Sequence, residues 1–222
     1  MELILDTADA RAIAEVCAVM NVAGVTTNPS IIVQSGLAPE EAIANIVEVL
    51  APEQKLFVQT LAHTAEGIVE EGRRIAGLRE SGVFAKVPVT HEGMEAIKEL
   101  HAEGVGILAT CIHTASQGML AAMNGADYLA PYVNRMCNYG DGIAEVADLL
   151  DMLALNGMEA KVIAASIKNV RQVHDLMLAG VQAVTIPPAI AWQMLDHPAS
   201  AAAVEEFDAA WQGAYGRTGL FE

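Results

Sequence analysis

The stretch VFAKVP (83–88) carries the reading of the fold. It is a continuous apolar run interrupted by one cation, the pattern of a parallel strand covered on both faces rather than of a half-exposed one. Period-two alternation sets Phe84, Lys86 and Pro88 on one side and Val83, Ala85 and Val87 on the other. The wholly apolar side suits packed helices, so Lys86 is expected to point inward. Seven further runs share this character: LILD (3–6), VAGVTTN (22–28), LFVQT (56–60), VGILAT (105–110), YLAPYV (128–133), KVIAAS (161–166) and AVTIP (183–187).

Helical stretches separate these runs, and their ends can be read. Thr90 with Glu92 opens one that stops at Gly104. Thr114 and Gln117 form a capping box closed by Gly125, Asp141 opens a helix ending at Gly157, and Gly180 ends the next. Gly24 and Gly82 each stand between a helix and a strand, and Pro39 with Glu40 and Glu41 makes a good first turn. Eight strand–helix units predict a (β/α)8 TIM barrel in the α/β class. An open dinucleotide-binding sheet needs GxGxxG after its first strand, where this chain has LDTAD (5–9). The barrel is expected to occupy 1–197 of a single domain spanning 1–222, with 198–222 an added helix and tail.

Composition narrows the function classes. The 222 residues are 53% hydrophobic and 18% charged, which excludes disorder, and this length buries a sizeable core. A net charge of −16 repels polyanions, so no nucleic acid or anionic membrane partner is expected. Cys17, Cys111 and Cys137 are odd in number and lack ligand-like spacing, which suits buried thiols in a reduced, cytoplasmic chain without a metal. The N-terminus MELILDTADAR has no basic-then-apolar leader pattern. Val105–Ala126 lacks charge but holds Thr110, His113, Thr114, Ser116, Gln117 and Asn124, and reads as a buried strand and helix rather than a membrane span.

Polar residues gather near the C-terminal ends of the strands: Asp6, Thr26 with Asn28, Gln59, Lys86, Thr110, Tyr132 and Ser166. In a barrel these ends share one face, where substrates bind. The alternation directs Ile4 with Asp6, and Val162 and Ala164 with Ser166, to the inside. Of five lysines, Lys86 alone sits within an apolar strand. Burial lowers a lysine's pKa and leaves a neutral amine able to form a Schiff base with a ketone. The structural alternative is a salt bridge to Asp6 across the barrel.

At these positions the chain resembles the transaldolase family, in its small-subunit branch that includes fructose-6-phosphate aldolase. The matching strings are LDTAD (5–9), AGVTTNPSII (23–32), KVPVTHEGMEAIK (86–98), APYVNR (130–135), AASIKNVRQ (164–172) and WQGAYGRT (211–218). The resemblance implies a cofactor-free class I aldolase barrel with Lys86 as the Schiff-base lysine and Asp6 as the proton-transfer carboxylate. Thr26 and Asn28 would bind substrate hydroxyls, Arg135 and Ser166 the phosphate, and Gln59, Thr110 and Tyr132 a catalytic water. Transaldolases carry Glu and Phe where this chain has Gln59 and Tyr132, so the resemblance favours cleavage of fructose 6-phosphate to dihydroxyacetone and glyceraldehyde 3-phosphate. The rivals are a transaldolase passing a dihydroxyacetone unit to an aldose phosphate, and a sugar-phosphate binding barrel without turnover.

Two stretches depart from the family pattern: CIHTASQG after Thr110 and MCNYGDG after Arg135. His113 and His63 read most simply as polar loop residues, with proton transfer or phosphate contact as the alternative. Family relatives form pentamers stacked into decamers, so a homo-oligomer is implied. Phe207, Trp211, Tyr215 and Phe221 recur near the C-terminus; on one helix the first three form a stripe that covers either this barrel or a neighbour.

Overall fold

The computed structural model describes residues 1–221. Its strands are β1 (Glu2–Asp6), β2 (Gly24–Thr26), β3 (Lys55–Gln59), β4 (Val83–Pro88), β5 (Ile107–Ile112), β6 (Tyr128–Pro131), β7 (Lys161–Ala164) and β8 (Ala183–Ile186). Each pairs in parallel with the next and β8 pairs with β1, which closes the (β/α)8 TIM barrel in sequence order. Helix α1 (Ala10–Cys17) follows β1, and α2 (Pro29–Ser35) and α3 (Pro39–Val49) follow β2. Next come α4 (Ala65–Ala76), α5 (His91–Ala102) and α6 (Ala115–Met123), then α7 (Val133–Met136) and α8 (Gly142–Leu155) after β6. Helices α9 (Val170–Ala179), α10 (Pro188–Leu195) and α11 (Pro198–Tyr215) complete the chain.

The caps act as local chemistry requires. Thr90 Oγ1 accepts from Gly93 N at 3.0 Å, and the Asp141 carboxylate accepts from Ile143 N and Ala144 N at 3.0 and 3.1 Å. Thr114 Oγ1 accepts from Gln117 N at 3.2 Å. The Gln117 side chain does not return to the cap residue; it accepts from His113 N at 2.8 Å, one residue earlier, and so ties the loop leaving β5 to α6.

The barrel interior is layered. Ile4, Phe57, Leu108 and Ile163, from the odd strands, are fully buried in one layer. Toward the C-terminal ends the even strands supply Thr26, Lys86, Ala130 and Thr185, which are at most 2% exposed. Val83, Ala85 and Val87 pack outward with the helices, as the β4 alternation predicts. Strand β7 has the opposite phase from the one expected. Val162 and Ala164 face the helices, while Ile163 and Ala165 face inward. Ser166 reaches the mouth because it lies beyond the strand with a left-handed φ of 60°.

One other expectation is corrected, and one alternative left open is narrowed. The thiols are not all buried: Cys17 and Cys111 are partly accessible and Cys137 is exposed. Helix α11 does not cover its own barrel, for none of its residues is buried and Phe207 and Tyr215 are 71% and 62% exposed.

One close approach fixes α5 against the strand bearing Lys86. A Cβ added at Gly93 would lie 1.9 Å from the Pro88 carbonyl oxygen, a backbone atom that cannot swing aside. Gly93→Ala is expected to lower stability by about 1–3 kcal/mol through overpacking, seen as a lower thermal midpoint. An unchanged midpoint would show that α5 is free to move away from β4.

Candidate functional site at the C-terminal face

The strand ends open into a cavity of about 1110 Å³. Asp6, Asn28, Gln59, Lys86, Tyr132, Arg135 and Ser166 all line it. The other two residues singled out from the sequence stand behind this wall. Thr26 Oγ1 donates to Asp6 Oδ1 at 2.7 Å, and Thr110 Oγ1 donates to the Tyr132 hydroxyl oxygen at 3.2 Å. The fold therefore brings all nine together.

Lys86 is the deepest charged group, at 2% exposure. Its Nζ donates to the Thr27 carbonyl oxygen at 3.1 Å and makes no ion pair within 4.0 Å, so the salt bridge to Asp6 is not formed. Burial pulls the Lys86 pKa below its ordinary value, while the negative field of Asp6 opposes the shift without cancelling it. Asp6 is held instead through hydroxyls. Thr26 Oγ1 and Thr185 Oγ1 lie 2.6 Å apart. Thr26 spends its one proton on Asp6, so Thr185 is the donor between them. Sequence reasoning missed Thr185, because threonine is an ordinary strand residue and AVTIP carries no other mark.

The opposite wall is built on the β6–α7 junction. Tyr132 precedes α7, and burial pushes its phenol up to about 12, against the lowering effect of the Thr110 hydrogen bond. The exposed guanidinium of Arg135 sits over the Tyr132 ring, 4.7 Å from its centroid, at the rim of the cavity. Lys168 also lines this cavity and was not singled out from the sequence, since it follows a strand rather than ending one. With Arg135 and the Ser166 hydroxyl it adds donors to the wall of this cavity, in a chain of net charge −16.

Asn28 caps α2 by accepting from Ile31 N at 3.0 Å through Oδ1, which leaves its amide N–H groups available to the cavity. Gln59 Oε1 is buried and has no hydrogen-bond partner among the described residues. Cys111 is a further wall residue. His63 is exposed and lies outside the lining, whereas the His113 ring stands edge-on to Tyr132 at 5.7 Å between centroids.

A second concavity of about 760 Å³ lies at the N-terminal end of the barrel beside Phe84, Tyr128 and Lys161, and holds none of the strand-end residues. Among the described residues no group of three or more His, Cys, Asp or Glu is placed to hold a metal. No described helix is long and apolar enough to cross a membrane.

The depressed Lys86 pKa carries a sign for stability. Between the folded value and the ordinary lysine value the unfolded chain binds more protons, so this residue's contribution becomes more favourable as pH rises through that window. Lys86→Met removes the effect. The stability of the variant relative to the native protein, from urea denaturation at several pH values, is expected to be highest at the low-pH end of that window and to decline toward the ordinary lysine pKa. A difference independent of pH would show that Lys86 titrates as an exposed lysine does.

A designed cube-shaped, highly porous protein cage aligns with a TM-score of 0.60 at 16% identity, over 97% of this chain and 78% of the other. A flavocytochrome b2 variant with sulfite bound gives 0.57 at 13% identity, over 86% and 57%. A native KDPGal structure gives 0.57 at 18% identity, over 83% and 82%. At these identities the likeness is one of fold. The family model described as Transaldolase/Fructose-6-phosphate aldolase matches residues 3–217. The chain belongs to the transaldolase/fructose-6-phosphate aldolase family.

Proposed function

We propose that this protein is a class I aldolase that reversibly cleaves fructose 6-phosphate to dihydroxyacetone and glyceraldehyde 3-phosphate. The observation that carries the reading is Lys86: a buried amine in the cavity wall, biased toward its neutral form and engaged by one backbone carbonyl rather than a carboxylate. Such an amine is a nucleophile for a ketone.

In this reading the Lys86 nitrogen adds to C2 of the open-chain ketose, and loss of water leaves a protonated imine. That cation accepts an electron pair. As Asp6 takes the proton of the C4 hydroxyl, the C3–C4 bond breaks, and its electrons form an enamine on Lys86. Glyceraldehyde 3-phosphate leaves. Protonation of the enamine carbon regenerates the imine, and addition of water frees dihydroxyacetone and the amine.

The other roles rest on the same geometry. Thr26 supports Asp6 and Asn28 faces the substrate hydroxyls, while Arg135 and Ser166 at the rim suit the phosphate. Gln59, with its unpartnered oxygen, and the Thr110–Tyr132 pair suit a water used in proton transfer and hydrolysis. A phenol at that point favours the aldolase over a transaldolase, because it can give and take a proton. No cofactor is called for in this chemistry.

Borohydride reduction in the presence of fructose 6-phosphate is expected to leave covalent mass on the peptide containing Lys86. Glyceraldehyde 3-phosphate is expected to accumulate over many turnovers with that substrate alone. Turnover that requires an aldose phosphate acceptor would overturn the aldolase in favour of the transaldolase, and no trapping at Lys86 would overturn both.

We further propose a cytoplasmic homo-oligomer, a pentamer or decamer, whose contacts include the exposed aromatic residues of α11. Light scattering is expected to give a mass of five or ten chains. A monomer in solution would remove this role for α11.

A further inference from the structure

Strand β5 carries one residue more than β6 can match. Leu108 and Ala109 stand opposite Tyr128 and Leu129, but Ile112 stands opposite Pro131, so Thr110 and Cys111 share the place facing Ala130. The bulged residue is Cys111, at a left-handed φ of 62° that residues other than glycine seldom adopt. Regular alternation would turn Cys111 outward to the helices. Instead it packs with the inner cluster and lines the cavity, and Ile112 resumes the outward phase.

Two consecutive side chains consequently reach the same atom. The Tyr132 hydroxyl oxygen accepts from Thr110 Oγ1 at 3.2 Å and from Cys111 Sγ at 3.6 Å. A phenol has one proton to donate, and here its oxygen is met by two donors. With both contacts made as donors to it, the phenol keeps its own proton for a third partner.

The left-handed turn has its own support. His113 Nδ1 lies 2.8 Å from the Cys111 carbonyl oxygen, and a carbonyl can only accept, so Nδ1 carries the proton. His113 is in turn anchored by its backbone N–H to Gln117 Oε1 at the start of α6 and by its ring edge against Tyr132.

We propose that Cys111, held in its left-handed conformation by His113, is a positioning residue for Tyr132, its thiol being the second donor that directs the phenol proton into the cavity. The inference rests on the Schiff-base reading of Lys86, but the two can be tested apart. With dihydroxyacetone alone in D2O, the imine on Lys86 loses a carbon-bound proton to give the enamine, which then takes up deuterium. Borohydride trapping reports the imine, and deuterium incorporation reports the proton transfer.

Cys111→Ala is expected to trap on Lys86 as the native protein does, while its exchange slows by about three- to tenfold, the worth of one hydrogen bond. Cys111→Ser, which keeps a donor, is expected to restore most of the rate. His113→Phe, which keeps an aromatic edge against Tyr132 but removes the donor to the Cys111 carbonyl, is expected to slow exchange in the same sense. Exchange indifferent to Cys111, a serine variant as slow as the alanine one, or trapping that falls in step with exchange would each overturn the positioning role. A native protein that fails to trap would overturn the reading of Lys86 itself, and the role of Cys111 with it.

Discussion

Lys86 carries an amine to the middle of a closed barrel, where a single carbonyl, that of Thr27, takes the place of its water. An ammonium needs more than one acceptor to be content away from solvent, so the arrangement favours the uncharged nitrogen. Much of the surrounding order follows from that. The nearby carboxylate is tied into the Asp6–Thr26–Thr185 hydroxyl chain and acts through its field rather than by contact. The layer that holds the amine is completed by two threonines and Ala130, and the small size of these residues leaves room above the nitrogen. Phe57 and Leu108, the latter the β5 register partner of Lys86, are fully buried in the apolar interior of the same barrel.

The parts of this design that show in the sequence are those where one phase alone is possible. In VFAKVP, placing Lys86 outward would set a cation among packed helices, so the alternation reads without ambiguity and predicts the interior correctly. The run at β7 offers no such test. Val162, Ile163, Ala164 and Ala165 are all apolar, either phase is acceptable, and the phase taken from Ser166 fails because that residue has left the strand in a left-handed turn.

The bulge in β5 was hidden for a related reason. VGILAT followed by Cys and Ile reads as a strand that ends at Thr110, whereas the strand continues to Ile112 around one inserted residue. No residue type marks a left-handed cysteine as Gly marks a turn. The stripe on α11 was visible as a pattern, but spacing alone does not say what an aromatic face meets. The structure shows that it does not meet its own barrel.

The far end of the barrel is closed as firmly as the near end is open. Glu2 lies between Lys55 and Lys161 at 2.8 and 3.1 Å, and Phe57, Phe84 and Tyr128 stack edge and face above them. The cavity is therefore a blind well with its nitrogen at the bottom and its guanidinium at the lip. If the proposed aldolase divides its substrate in this well, the fragment nearer the lip is the one placed to leave first. On that reading the order of release follows from the shape of the vessel.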